Sequence, residues 1–210
     1  MKKLLTEFIG TFFLVLVIGL AIVGSTAMAP VAIGVALMVL VYMGGHISGG
    51  HYNPAVSTAA VLRGKMPSAD FVPYVISQLL GGTAAAAMVH VITGQTFAPA
   101  PAPGIGLLAP LLVEFLFTFL LALVVLNTAT HAATKGNSFY GFAIGGTVLV
   151  GAFVGGGISG GAFNPAVGVG PIVVHATASG GSLANLWLYL VGPILGGVLA
   201  AVVFGIQERD

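Results

Sequence analysis

Apolar residues come in long unbroken blocks rather than in alternating or helical stripes. Six blocks, at residues 4–23, 27–45, 71–92, 109–126, 139–154 and 183–206, are long enough to cross about 30 Å of hydrocarbon as helices. Two further apolar segments, 54–62 and 165–174, are too short. At 1.5 Å per residue, nine or ten residues span only about half a bilayer, so these segments read as re-entrant half-helices. The pattern predicts an all-α membrane protein of six transmembrane helices and two half-helices. The connection 93–109 carries Pro99, Pro101 and Pro103 and reads as extended rather than helical.

Composition strengthens this reading. Of 210 residues, 58% are hydrophobic and 5% charged, where a soluble domain carries about a quarter. No Asp, Glu, Lys or Arg occurs from Gly136 to Gln207. The solvent of this chain is lipid. A net charge of +1 gives no electrostatic basis for nucleic-acid binding. With no cysteine and no histidine cluster at metal-ligand spacing, neither a metal nor another cofactor is expected. Lys2-Lys3 and the triplet Ala27-Met28-Ala29 frame the first block like a cleavable signal peptide. Glu7 within the block, and a mid-chain counterpart described below, point instead to a retained first span.

Lys2 and Lys3 precede the first span, Arg63 and Lys65 follow the first half-helix, Lys135 separates spans four and five, and Arg209 ends the chain. With six spans all of them fall on one side, which the positive-inside rule makes the cytoplasm. Both termini are then expected inside, in a plasma membrane. The compact loops suggest a bacterial inner membrane.

The second half of the sequence echoes the first. Leu4-Leu5-Thr6-Glu7-Phe8 matches Leu111-Leu112-Val113-Glu114-Phe115, and Ile47-Ser48-Gly49-Gly50-His51-Tyr52-Asn53-Pro54-Ala55-Val56 matches Ile158-Ser159-Gly160-Gly161-Ala162-Phe163-Asn164-Pro165-Ala166-Val167. Tyr74 with Gly81-Gly82 matches Tyr189 with Gly196-Gly197. The chain is therefore read as one channel domain, 1–210, built from two three-span units at about 1–95 and 107–210. Because three is odd, the units enter the membrane from opposite sides, and the half-helices dip toward each other from opposite faces.

Asn followed by Pro is a strong helix start. Asn caps the first turn, and Pro suits the first helical position, where its missing N–H costs nothing. Irregular backbone before each Asn is tolerable at membrane depth only where it lines a wet cavity. Gly49, Gly50, His51, Gly160, Ala162 and Phe163 are thus candidate donors of pore carbonyls, and the amides of Asn53 and Asn164 can donate to a passing molecule. Two facing helix N-termini also place partial positive charge at that point, which disfavours cations and hydronium. A single Asn-Pro is usually only a turn. Two copies at inverted-repeat positions, each opening a half-span segment, are not explained that way.

Asn53-Pro54-Ala55 and Asn164-Pro165-Ala166, within their Ser-Gly-Gly-x-x contexts, resemble the paired signature of the aquaporin, or major intrinsic protein, family, and the likeness covers essentially the whole chain. It implies a homotetramer with one pore per subunit, passing water or small neutral solutes down their gradients. It also implies that Glu7 and Glu114 brace the re-entrant loops, although intramembrane carboxylates can also relay protons. Family members narrow at a four-position filter, one position of which is an Arg after the second Asn-Pro-Ala. By position that filter here is Ile33, Ala152 (Gly151 if the register slips by one), Gly161 and Val167. None carries a charge or an aromatic ring. This opens the alternative of a broad solute channel for glycerol, urea, ammonia or hydrogen peroxide, with water secondary.

Other features of the sequence have both a functional and a structural reading. His46 and His51 could gate the inner mouth by protonation, or only shape the loop. The paired glycines Gly81-Gly82, Gly145-Gly146 and Gly196-Gly197 read as close helix contacts. Gly157-Ile158-Ser159-Gly160 matches an intramembrane serine protease motif, but Ser48 occupies the same place in the other repeat, which favours loop geometry over an enzyme. A secondary carrier also uses inverted repeats and broken helices, but would need ionisable residues near the midplane for coupling.

Overall fold

The computed structural model of the chain describes residues 1–208, so Arg209 lies outside the described residues. Eight α-helices follow in order: α1 (Lys2–Val23), α2 (Ala29–Ser48), α3 (Pro54–Leu62), α4 (Ser68–Thr93), α5 (Leu108–Val125), α6 (Tyr140–Ser159), α7 (Pro165–Ser179) and α8 (Leu186–Gln207). Six of them are long and apolar enough to span a membrane, and the protein is an integral, multi-pass membrane protein. A short π-helical turn, Leu126–Thr130, extends the fifth span. Residues 95–107 contain no helix.

The second half-helix is longer than its apolar stretch predicts. It runs 15 residues, to Ser179, where Gly180 (φ +71°) closes it in the left-handed conformation. The polar turn that includes His175, Thr177 and Ser179 is helical despite its composition. Thr177 returns its hydroxyl to Val173 O at 2.9 Å, within the helix. Small hydroxylated residues that satisfy themselves this way need not end a helix.

Packing repeats itself. Helix α1 packs on α2 and α4, and α5 packs on α6 and α8 in the same way. The half-helices cross over: α3 of the first unit lies against α8 of the second, and α7 lies against α4 of the first. Helices α2 and α6 join the units along a second seam. Neither unit has its half-helix wall without the other.

Glycine sets the distance at the crossings. A Cβ on Gly82 would sit 2.7 Å from Ala166 O, and one on Gly197 would overlap Ala55 O, so α4 and α8 touch the opposite half-helices through backbone. Lipid is as apolar as leucine, and close packing of small residues, more than hydrophobic burial, holds such helices together. Gly81 and Gly196 play the same part against Phe8 O and Phe115 O. Gly145 meets Gly34 O, whereas Gly146 faces open space, which corrects the expectation that both pack. Outward positions are large and apolar, such as Val72, Val91 and Leu108.

Three of the basic residues are paired with acidic ones. Lys3 pairs with Asp70 at 3.1 Å, and Arg63 and Lys65 hold Glu208 at 2.7 and 2.8 Å. Hydrogen bonds from Lys65 first, and then from Arg63, hold the Glu208 carboxyl below the ordinary carboxylate range.

Candidate functional site

Asn53 and Asn164 adopt the same extended conformation, φ −155° and −162°, just before their half-helices. The Oδ1 of each accepts from a backbone N–H two residues on: Ala55 N for Asn53 and Ala166 N for Asn164, both at 2.9 Å. The cap therefore fixes which way each amide nitrogen points. Asn53 Nδ2 donates to Phe163 O at 2.9 Å, and Asn164 Nδ2 donates to Tyr52 O at 2.8 Å. Each Nδ2 carries two hydrogens, so one donor remains beyond these cross-links. Both residues line a common cavity.

The loops before the caps have matching backbones. Gly49 and Gly50 sit at φ +94° and +63°, and Gly160 and Gly161 at +89° and +64°. In both loops the residue before the Asn, Tyr52 or Phe163, also has φ +50°, which is rare for a non-glycine side chain. Such backbone needs outside support, and a buried carboxylate supplies it. Glu7 accepts from His51 N (3.0 Å), Tyr52 N (2.7 Å), Ser48 Oγ (2.6 Å) and Gln78 Nε2 (2.8 Å). Glu114 accepts from Ala162 N (3.0 Å), Phe163 N (2.6 Å) and Ser159 Oγ (2.7 Å). The amide hydrogens of both loops are thus turned to the carboxylates. Tyr74 and Tyr189 complete the bracing, their hydroxyls donating to Ser48 O and Ser159 O. Ser159 Oγ is thus engaged with Glu114 and positions the loop.

The cavity has a volume of about 410 Å³ and takes in both members of the Asn pair. Some of the lining residues belong to the two loops: Gly50, His51, Gly160, Gly161, Ala162 and Phe163, beside the two Asn residues. Others are apolar side chains of the spanning helices, including Leu14, Leu37, Leu121 and Val148. All four positions aligned with a filter, Ile33, Ala152, Gly161 and Val167, line it. Gly151, the alternative for α6, does not; a Cβ there would meet Phe163 and Phe117.

Two of the expected carbonyl positions stand apart from the rest. Gly49 lies at the exposed start of its loop, whereas Gly50 lines the cavity. The Phe163 carbonyl is occupied by Asn53, as the Tyr52 carbonyl is by Asn164, so both serve first as the latch between loops. Tyr52, Gln78 and Ser57 were not singled out from sequence. Their signal was weak: Gln78 is a lone amide in an apolar span, and Tyr52 gives no sign that its carbonyl rather than its ring matters.

The histidines separate. His51 lines the cavity with Nδ1 3.0 Å from Ser57 Oγ, which Gln78 also reaches at 3.0 Å. His46 is exposed outside it. No cluster of three or more His, Asp or Glu suited to a metal occurs among the described residues.

The family model described as Major intrinsic protein matches residues 1–204. Among curated relatives, the chain is 37% identical to "Glycerol uptake facilitator protein-like 6" of Lactiplantibacillus plantarum, over 96% of this chain and 95% of that protein. It is 35% identical to Nodulin-26 of Glycine max, over 98% of this chain and 78% of that one. In fold it resembles the X-ray structure of the aquaglyceroporin from Plasmodium falciparum, with a TM-score of 0.86 at 23% identity, covering 97% of this chain and 94% of that chain.

Proposed function

The chain belongs to the major intrinsic protein family of passive channels for water and small solutes, and on that premise we propose that it conducts small neutral solutes, glycerol-sized polyols among them, along with water. One observation carries the reading: the pore lining combines the two loops and the Asn53–Asn164 latch with apolar side chains of the spanning helices, and holds no Asp, Glu, Lys or Arg. A molecule with hydroxyls along one edge and carbon along the other can exchange its hydration for the carbonyls and the free amide hydrogens while its apolar edge meets leucine and valine. The name of the bacterial glycerol-facilitator relative points the same way.

Ile33, Ala152, Gly161 and Val167 act as the selecting ring, and it selects weakly. Val167 offers neither the bulk nor the charge of an arginine, so the ring bars neither larger neutral solutes nor, by charge, cations. Exclusion of cations and hydronium rests on the N-termini of α3 and α7, whose partial positive ends meet at the two Asn residues. Glu7 and Glu114 hold the loops rather than relay protons, because each carboxylate already accepts two backbone amides and a serine.

By the placement of its basic residues the protein has both termini in the cytoplasm of a plasma membrane, bacterial by its compact loops, and by family resemblance it assembles as a homotetramer. The test is light scattering from proteoliposomes given an inward glycerol gradient after osmotic shock. Reswelling faster than in empty liposomes supports the reading. Shrinkage by water alone, with no solute entry, overturns the polyol part.

A further inference from the structure

The two re-entrant loops are braced alike but not identically. At the first loop a chain of polar side chains is added to the carboxylate: Glu7, Gln78, Ser57 and His51, linked at 2.8, 3.0 and 3.0 Å. By the internal repeat, His51, Ser57 and Gln78 correspond to Ala162, Gly168 and Pro193, none of which has a polar side chain. Glu114 braces the second loop through Ala162 N, Phe163 N and Ser159 Oγ without such a chain. Bracing alone therefore does not account for it.

Each link of the chain can run in only one direction. Glu7 takes Ser48 Oγ and His51 N on Oε1, and Tyr52 N and Gln78 Nε2 on Oε2, so its four acceptor sites are filled. Gln78 must turn its amide nitrogen to Glu7, since its carbonyl there would face another acceptor. The second hydrogen of that nitrogen goes to Ser57 Oγ. Ser57 has one proton to give, and the acceptor set beside it is His51 Nδ1. Nδ1 therefore accepts, and in the neutral imidazole the proton resides on Nε2. Nε2 has no protein partner and is not enclosed, so its hydrogen is free for a molecule in the cavity that His51 lines. A Cβ at Gly49 would lie 2.9 Å from Nε2, so glycine there keeps this nitrogen accessible.

We propose that Ser57 and Gln78 are positioning residues that hold the His51 proton on Nε2, which makes His51 a third hydrogen-bond donor, with Asn53 and Asn164, to solutes in the cavity. These three are the polar side chains of the lining, and the Oδ1 of each Asn is already taken by its helix cap. All three therefore donate. They favour solutes with accepting oxygens, such as hydroxyl or carbonyl oxygens, and offer a cation no ligand. The donor role rests on the channel reading above, whereas the place of the proton does not.

The experiment uses the full chain with isotope-labelled histidine in liposomes at about pH 8, above the ordinary histidine pKa of about 6.5, and reads by solid-state NMR which ring nitrogen is protonated. Signals lost in His51→Gln belong to His51. Wild type and Ser57→Thr are expected to show a protonated Nε2 and a bare Nδ1, and Ser57→Ala and Gln78→Leu a mixture of the two forms. Glycerol entry into the same liposomes is expected to fall about threefold in His51→Leu, to fall less in Ser57→Ala, and to keep the wild-type rate in Ser57→Thr. A proton on Nδ1 in wild type, or an unchanged form in both Ser57→Ala and Gln78→Leu, overturns the positioning role. Unchanged glycerol entry in His51→Leu overturns the donor role and leaves the channel standing. If neither Ser57→Ala nor Gln78→Leu folds, the wild-type spectrum decides by the same criterion. A wild type that passes no glycerol contradicts the polyol reading and the donor role together, while its spectrum still decides where the proton lies.

Discussion

Asn53 and Asn164 are each tied to the backbone of the other's loop, Asn53 Nδ2 to Phe163 O at 2.9 Å and Asn164 Nδ2 to Tyr52 O at 2.8 Å. The same two side chains cap their own half-helices through Oδ1. One residue type thus starts a helix, closes the seam between the repeats and keeps a donor for the pore, which an aspartate or serine in its place could not do. Replacing Asn164 by Asp keeps the cap but removes the donor and adds a negative charge. Asn164→Asp is expected to lower neutral-solute permeability about tenfold, corresponding to roughly 1.4 kcal/mol of barrier, and to raise cation leak. Solute flux and a potential-sensitive dye in proteoliposomes check both.

Arginine at position 167 would return bulk and charge to the ring beside Ile33, Ala152 and Gly161. Val167→Arg is expected to cut glycerol permeability by about tenfold or more while lowering any proton leak. Glycerol reswelling and a pH-sensitive dye trapped in the same vesicles read the two quantities. No change in either would remove this ring as the filter.

The carboxylates that hold the loops predict a stability order. Glu114→Ala leaves the buried amides of Ala162 and Phe163 without an acceptor, at about 1–3 kcal/mol each. Glu7→Ala strands His51 and Tyr52 in the same way and also releases Gln78. Both variants should melt earlier in detergent, Glu7→Ala earlier than Glu114→Ala. Equal melting to wild type would mean that the loops hold themselves.

At the helix crossings, Gly197→Ala places a methyl against Ala55 O, whereas Gly146→Ala meets nothing. Overpacking of this kind costs about 1–3 kcal/mol. Gly197→Ala should lower the melting temperature and the solute flux, since α8 then pushes on the half-helix that carries Asn53. Gly146→Ala should leave both unchanged.

Glu208 gives the pH dependence. Its carboxyl is held below the ordinary range by Lys65 and Arg63, so the folded state favours the charged form. The stabilisation is present above the ordinary carboxylate pKa and is lost as pH falls through the lowered one. Glu208→Gln should therefore melt earlier than wild type at pH 7 and together with it in strong acid. Added salt should narrow the difference, because the pair is partly exposed.

Much of this was legible in the sequence because lipid leaves few alternatives. Unbroken apolar blocks gave the six spans, and the doubled Asn-Pro-Ala placed the half-helices and their inverted relation. The end of α7 was not legible, since Thr177 and Ser179 look like loop and only the satisfied hydroxyl of Thr177 shows why the helix continues. Gly146 looked like Gly145 because a dipeptide does not reveal which residue faces the neighbour. The latch was hidden for a different reason: it joins side chains to carbonyls more than a hundred residues away, and carbonyls have no sequence signature. The segment after Gly94 was legible as Pro-rich but not as part of the cavity lining, to which it contributes Phe97, Ala98, Pro99 and Ala100.

Passive passage of small neutral solutes past the Asn pair can be read from the initial rate of glycerol entry into proteoliposomes. A passive path gives a rate well above that of empty liposomes, linear in glycerol gradient without saturation, and unchanged when proton and sodium gradients are collapsed. A rate equal to that of empty liposomes, or one that saturates and follows an ion gradient, would contradict it.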